Sequence, residues 1–250
     1  MSVSEASIAT FRDIHARFNA AISRFDCGKW CAPLNDGEPV CCSTKQAIPI
    51  VQRNEYKVLR QRTDMWHKFK PFDAASREVA TDLHASCLAI ECRGARHCER
   101  ENRTLACRAF PFFPYFPRQG NFVGLAFYWT FADRCWVMSH LEVVKRDFVA
   151  EFCQAYELLF ADDADERQAF REQSAAMRRV YTRWKKPIPV IGREGGYLSV
   201  VPGTGELRAA KVSEFERHGP YVSAEAYREA VAAHQAAAAE EMTIELVLDP

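Results

Sequence analysis

Cysteine is the residue type in this chain with the most chemistry to offer. There are ten, and nine of them fall between residues 27 and 135. Cys27 and Cys31 form a C-x3-C pair, Cys41 and Cys42 are adjacent, Cys87, Cys92, Cys98 and Cys107 follow after an intervening segment, and Cys135 closes the stretch. As thiolates, cysteines are soft ligands, and thiolates drawn from separate segments hold zinc or iron–sulfur clusters. A disulfide scaffold needs an oxidising compartment. The N-terminal MSVSEASIATFRDIH has no apolar core of the kind a signal peptide carries. The remaining role, a small buried hydrophobe, suits Cys153 in the apolar pattern Phe148, Phe152, Tyr156. It does not suit Cys41 and Cys42, which sit beside Pro39, Ser43, Thr44 and Lys45. The pattern therefore predicts a metal-binding chain, with zinc and iron both open.

Several familiar metal motifs are absent. Zinc ribbons carry two C-x2-C knuckles, and none occurs here. A radical S-adenosylmethionine motif, C-x3-C-x2-C, fails at Leu34. Ferredoxin spacing is missing as well. Adjacent side chains diverge on an extended chain. Cys41 and Cys42 thus point at two different ions, or one at an ion and the other into the core.

The segment CERENRTLACRAFPF (98–112) resembles the C-x-I-Y-x-x-R-P-x-x-C-R-x-F-P-F motif of the YkgJ-type cysteine-cluster proteins, described as zinc- or iron-chelating. Its Cys107-Arg108-Ala109-Phe110-Pro111 portion carries the likeness. Arg103-Thr104 stand where the family has R-P, and Glu99-Arg100 where it has I-Y. The family's first motif, a CxxxC or CxxC followed by a vicinal CC, is similar to Cys27, Cys31, Cys41 and Cys42, although residues 32–40 make a longer spacer. Cys87-Leu88 and Cys135 match two further family positions. The resemblance spans residues 25–136 and implies a ligand set of Cys27, Cys31, Cys41, Cys42, Cys87, Cys98, Cys107 and Cys135, enough for two four-thiolate sites or one cluster with spares. It leaves Cys92 without a counterpart. Arg108, next to a ligand, is expected to hydrogen-bond thiolate or cluster sulfur, and His97 to be a neighbour of the site. Flagellin lysine N-methylases carry a related cluster, so an iron–sulfur enzyme is the alternative, although no glycine-rich cofactor motif accompanies it. A structural zinc fold that serves as a protein-interaction module is the third reading.

These residues must be positioned by a chain of 250 residues that is 48% hydrophobic, enough for a core. Lys+Arg and Asp+Glu balance at 33 each, which argues against nucleic acid as a partner. The longest apolar run, 122–132, is too short to span a membrane. The chain is expected in the cytoplasm, with reduced thiols. The aromatic residues of 110–131 read as core packing rather than a base-stacking platform.

The fold expected is α+β, mostly helical, with short strands around the cysteine site. A cysteine-cluster domain over 1–186 is followed by a strand-and-helix extension over 187–250. Apolar periodicity predicts helices over 4–24, 53–69, 138–160, 164–184 and 224–241, with a partly helical 73–85. A Ser2/Glu5 capping box opens the first, Gly28 ends it, and His15 lies at its surface. Short strands are expected at 48–51, 87–90, 121–131, 190–191, 197–201, 207–212 and 243–248. The acidic run 162–166 marks a helix start. Gly203-Thr204-Gly205 is no phosphate loop, since no Gly-Lys-Ser/Thr follows.

Overall fold

The computed structural model describes residues 5–248, with side chains as far as residue 239. In chain order its elements are α1 (Ile8–Arg17), α2 (Gly28–Cys31), β1 (Ile50–Gln52), α3 (Arg53–Arg62), β2 (His67–Lys68), α4 (Ala74–Thr81), β3 (Cys87–Glu91), α5 (Leu105–Ala109), β4 (Phe112–Tyr115), β5 (Gly124–Phe127), α6 (Arg146–Asp162), α7 (Ala164–Trp184), β6 (Ile188–Gly192), β7 (Tyr197–Val200), β8 (Leu207–Ala210) and α8 (Ala224–Leu248). The fold is α+β with two antiparallel sheets, ordered β1-β3-β2 and β4-β5-β6-β7-β8.

The larger sheet is covered on both faces, and the period-two alternation of its strands shows how. Phe112, Leu125 and Phe127 join one core with Phe148, Phe152 and Leu159 of α6 and Phe11 and Ile14 of α1. Their neighbours Phe113, Tyr115 and Ala126 face the other way, with Ile188 and Val190, onto Met177 and Tyr181 of α7. The aromatic stretch is thus core, as its sequence suggested. The smaller sheet has its own cluster of Val51, Leu59, Met65, Trp66 and Ile90.

β5 pairs with β6, Gly124 opposite Gly192 and Leu125 opposite Ile191. The division expected at 186/187 therefore runs through one sheet, and 188–210 completes the body that 112–127 begins. Asp163 caps α7 by accepting from the amides of Asp165 and Glu166, which explains the acidic run. The expected strand at 243–248 is instead the last part of α8.

Other differences have local causes. α1 stops at Arg17 because tertiary partners take the following backbone: the amides of Asn19 and Ala20 both donate to Glu151 of α6, at 2.7 and 2.6 Å. The Ile22 carbonyl accepts from Lys145 N–H. Ser7, not Ser2, caps the helix, and Ser2 lies outside the described residues. Gly28 opens α2 rather than closing α1. α3 ends at Arg62, after which His67 and Lys68 pair with Glu91 and Ile90. The strand expected over 121–131 is confined to β5, with a tight turn at Trp129–Phe131, and turns at Trp136–Ser139 and Leu141–Val143 delay α6 to Arg146. His15 is buried rather than superficial, its Nε2 3.0 Å from Glu55 Oε1. Glu55 Oε1 also accepts from the Leu105 amide at 2.6 Å, which ties α1, α3 and α5 together.

Candidate metal centre

Four turns and a short helix carry the cysteines to one region. Cys27 and Cys31 flank α2, and the loop after it returns to a turn at Val40–Cys42. Trp30 of α2 stacks on Trp136 with ring centroids 5.6 Å apart, which sets the 27–31 turn beside Cys135. Arg134 Nη1 donates to Gln46 Oε1 at 2.7 Å, joining the same segment to the chain just after Cys42. From the other side, β3 runs out at Glu91 into Cys92, a turn at Ala95–His97 and then Cys98. Cys107 rides on α5, whose N-cap Thr104 accepts from the Cys107 amide at 2.9 Å. Cys92 and Cys107 both pack against the small core of the first sheet.

Cys42 is an electrostatic neighbour of thiols on both sides, Cys27, Cys31 and Cys41 on one and Cys92, Cys98 and Cys107 on the other, with Cys135 beside Cys31 and Cys27. Burial pushes the Cys135 thiol up, and the thiols of Cys31 and Cys27 add to it. Burial likewise raises Cys27 to about 11, with Cys31 next among the causes. Cys41 is raised by its contact with Cys42 and by burial, and also feels Cys135 and Cys31. On the other side, burial raises Cys107 to about 12, with Cys92 and Cys42 contributing. Cys98 and Cys92 are raised by burial, and both feel Cys42. The Cys41 and Cys42 sulfurs lie 3.9 Å apart. Cys42 is held low, first by the Cys41 thiol that donates to it and then, against burial, by the charge of Arg103.

Backbone amides already face several sulfurs: Val40 that of Cys31, Gly94 that of Cys92, and Val137 and Met138 that of Cys135. Such N–H donors favour thiolate over thiol. Among the described residues, no three side chains of His, Cys, Asp or Glu already stand close enough together to hold an ion.

Seven of the eight expected ligands reach this region, and Cys87 does not. It lies at the far end of β3 from Cys92, and a strand advances about 3.3 Å per residue. After burial and a hydrogen bond with Ser86, its electrostatic neighbours are Glu166, Asp163 and Glu5, with no cysteine among them. Cys92, which the sequence left unassigned, has Cys42 among its electrostatic neighbours. A cysteine one residue past a strand and six before Cys98 was the available signal.

Arg108 is not aimed at sulfur. Nε donates to the Arg103 carbonyl, Nη1 to the Phe18 carbonyl and Asn19 Oδ1, and Nη2 to the Glu101 carbonyl. It is a buried tie between α5, the end of α1 and the 101–103 turn. The charge of Arg103 favours ionisation of Cys42, Cys98 and Cys107, and Arg100 adds to it at Cys98. His97 is exposed on the turn before Cys98. Cys153 is buried in α6 as an apolar residue, its thiol raised to about 12 first by burial. Compared with protein-family models, with curated proteins and with solved structures, the chain finds no match in any of the three.

Proposed function

We propose that this chain binds metal through eight cysteines in two adjoining four-thiol sites. Cys27, Cys31, Cys41 and Cys135 make one, and Cys42, Cys92, Cys98 and Cys107 the other. The observation that carries the reading is the Cys41–Cys42 step, where two sulfurs 3.9 Å apart have the thiols of Cys27, Cys31 and Cys135 on one side and those of Cys92, Cys98 and Cys107 on the other. Four thiolates suit zinc and iron–sulfur alike. Closing each site takes side-chain rotation, coupled to loss of the thiol protons when metal binds. The amides facing Cys31, Cys92 and Cys135 and the charge of Arg103 offset the resulting negative charge.

All ten cysteines are free thiols, and a donor set of this kind persists where thiols stay reduced. This supports a cytoplasmic location. Among the described residues no helix is long and apolar enough to cross a membrane.

The test is elemental analysis with visible absorption on protein purified without oxygen or chelator. The reading expects about two equivalents of zinc per chain with no visible band, or iron with acid-labile sulfide and a broad visible absorption. Less than about a tenth of an equivalent of zinc plus iron would sink it.

A further inference from the structure

A cavity of about 580 Å³ lies against the cysteine region, with Cys41 and Cys107 in its wall, between α1, α3, α6 and α7. That volume is in the range of small-molecule sites, about 300–1,000 Å³. Its interior is largely aromatic: Phe110 and Phe131 meet edge to face at 5.1 Å, and Tyr156 meets Phe170 at 5.3 Å. Its polar lining is Thr44, Lys45, Gln46, Gln52, Asp73 and Ser76 besides the glutamates, with Lys45 exposed and paired with Asp36 at 3.9 Å. Glu166 accepts from Gln52 Nε2 at 3.3 Å, and the same amide donates to Asp163 at 2.8 Å. Glu55 also lines the space. No cationic side chain forms an ion pair with Glu166 among the described residues.

Two further observations point to a ligand. Tyr156 is 97% buried, being 3% exposed, and its hydroxyl has no hydrogen-bond partner among the described residues. The hydroxyl of Tyr128, across the same cavity, has none either. At the mouth, Ile50, Phe72 and Val79 are large apolar side chains left 40%, 58% and 40% exposed, and all three line the cavity. A soluble surface rarely gathers such residues without a use for them.

We infer that this cavity binds a small organic amine in its ammonium form, with Glu166 as the counter-charge and the aromatic walls and apolar mouth holding its hydrocarbon body. The faces of aromatic rings attract cations, and the buried carboxylates repel an anionic head. The Tyr128 and Tyr156 hydroxyls would accept from the ammonium. This does not rest on the metal reading, because none of these groups is a proposed ligand.

The test uses the full chain as purified, with three compounds of one shape: 4-phenylbutylamine, 4-phenylbutanol and 4-phenylbutyrate. Calorimetric titration should give the amine an affinity at least about tenfold above the alcohol, with the acid weakest. Glu166→Gln keeps the shape and the acceptor for Gln52. It should weaken the amine about tenfold and leave the alcohol unchanged. Unaltered metal content and a thermal midpoint no lower than the parent's would show that the variant is intact. If it is not, Tyr156→Phe supplies a second reading, with a smaller loss for the amine only. Equal binding of amine and alcohol, tight binding of the acid, no binding of any of the three at millimolar concentration, or an unchanged amine affinity in intact Glu166→Gln would each overturn the inference.

Discussion

Single residues separate the proposed ligands from cysteines that merely share the chain. Cys92→Ser should lower metal content as far as Cys98→Ser does, because both thiols border Cys42. Cys87→Ser and Cys153→Ser should leave it unchanged, since Cys87 has no cysteine among its electrostatic neighbours and Cys153 sits in the α6 core. Metal content of the four purified variants decides this. Loss in Cys87→Ser equal to that in Cys92→Ser would return Cys87 to the site.

Arg108 and Glu166 test the polar interior. Arg108 holds three carbonyls and one amide oxygen together while buried. Arg108→Ala should cost about 3 kcal/mol in urea unfolding, since it strands buried acceptors. Arg108→Lys should recover little, as one ammonium cannot span the fork. Burial raises the Glu166 carboxyl, with Asp163 and Glu55 adding to it, against the Gln52 hydrogen bond and the charge of His84. A raised folded-state value means stability that is full below the unfolded value, about 4.3, and lost as pH climbs through the folded one. Glu166→Gln should therefore stabilise the ligand-free protein at pH 7, with the gain vanishing toward pH 4. Denaturation midpoints across that range check it, and a gain independent of pH would contradict the assignment.

Among the elements, the β5–β6 pair joins the middle of the chain to its last third. Gly124 and Gly192 face each other in that register, and a Cβ on Gly124 would run into the Ile191 carbonyl. Because the obstacle is backbone, no side chain can rotate to make room. Gly124→Ala should destabilise by about 3 kcal/mol, the upper part of the range for overpacking. Protease cleavage should then appear first in 188–210. A variant as stable as the parent would show that the two strands are not held at this distance.

Across the whole molecule, apolar packing and cysteines are unevenly distributed. The two large cores lie on the faces of the five-stranded sheet and draw on α1, α6 and α7. The segment 27–107 has the small cluster around Trp66 and sends Val58 and Leu105 into the large core. A structural thiolate site contributes on the order of 10 kcal/mol, as much as a whole domain's net stability of about 5–15 kcal/mol. Stripping metal under reducing conditions should therefore raise hydrogen exchange across 27–107 at least about tenfold, leaving α6, α7 and β4 to β7 protected. Unchanged exchange across 27–107 after verified removal would mean that packing alone holds the cysteines.

The sequence by itself determined what depends on neighbours a few residues apart. Apolar repeats at three- and four-residue steps marked α3, α6 and α7, because a helix brings such residues to one face. Alternation and turn residues marked β3, β6, β7 and β8. The expectation that Cys41 and Cys42 diverge on an extended chain met a tight turn, Val40–Cys42, that leaves their sulfurs 3.9 Å apart. Only the tertiary structure decided which thiols share a neighbourhood. Cys87 and Cys92 are close in sequence, but a strand extends the chain between them, and motif spacing carries no record of where a strand's two ends arrive. The same holds for Arg108 and Arg103, whose partners come from α1 and from the cysteine turns. It holds too for α1 and α8. One ends early where Glu151 captures its backbone, and the other continues through residues that read locally as a strand. Long-range partners override local propensity at such points, since each buried amide and carbonyl must be satisfied by whatever the fold brings to it.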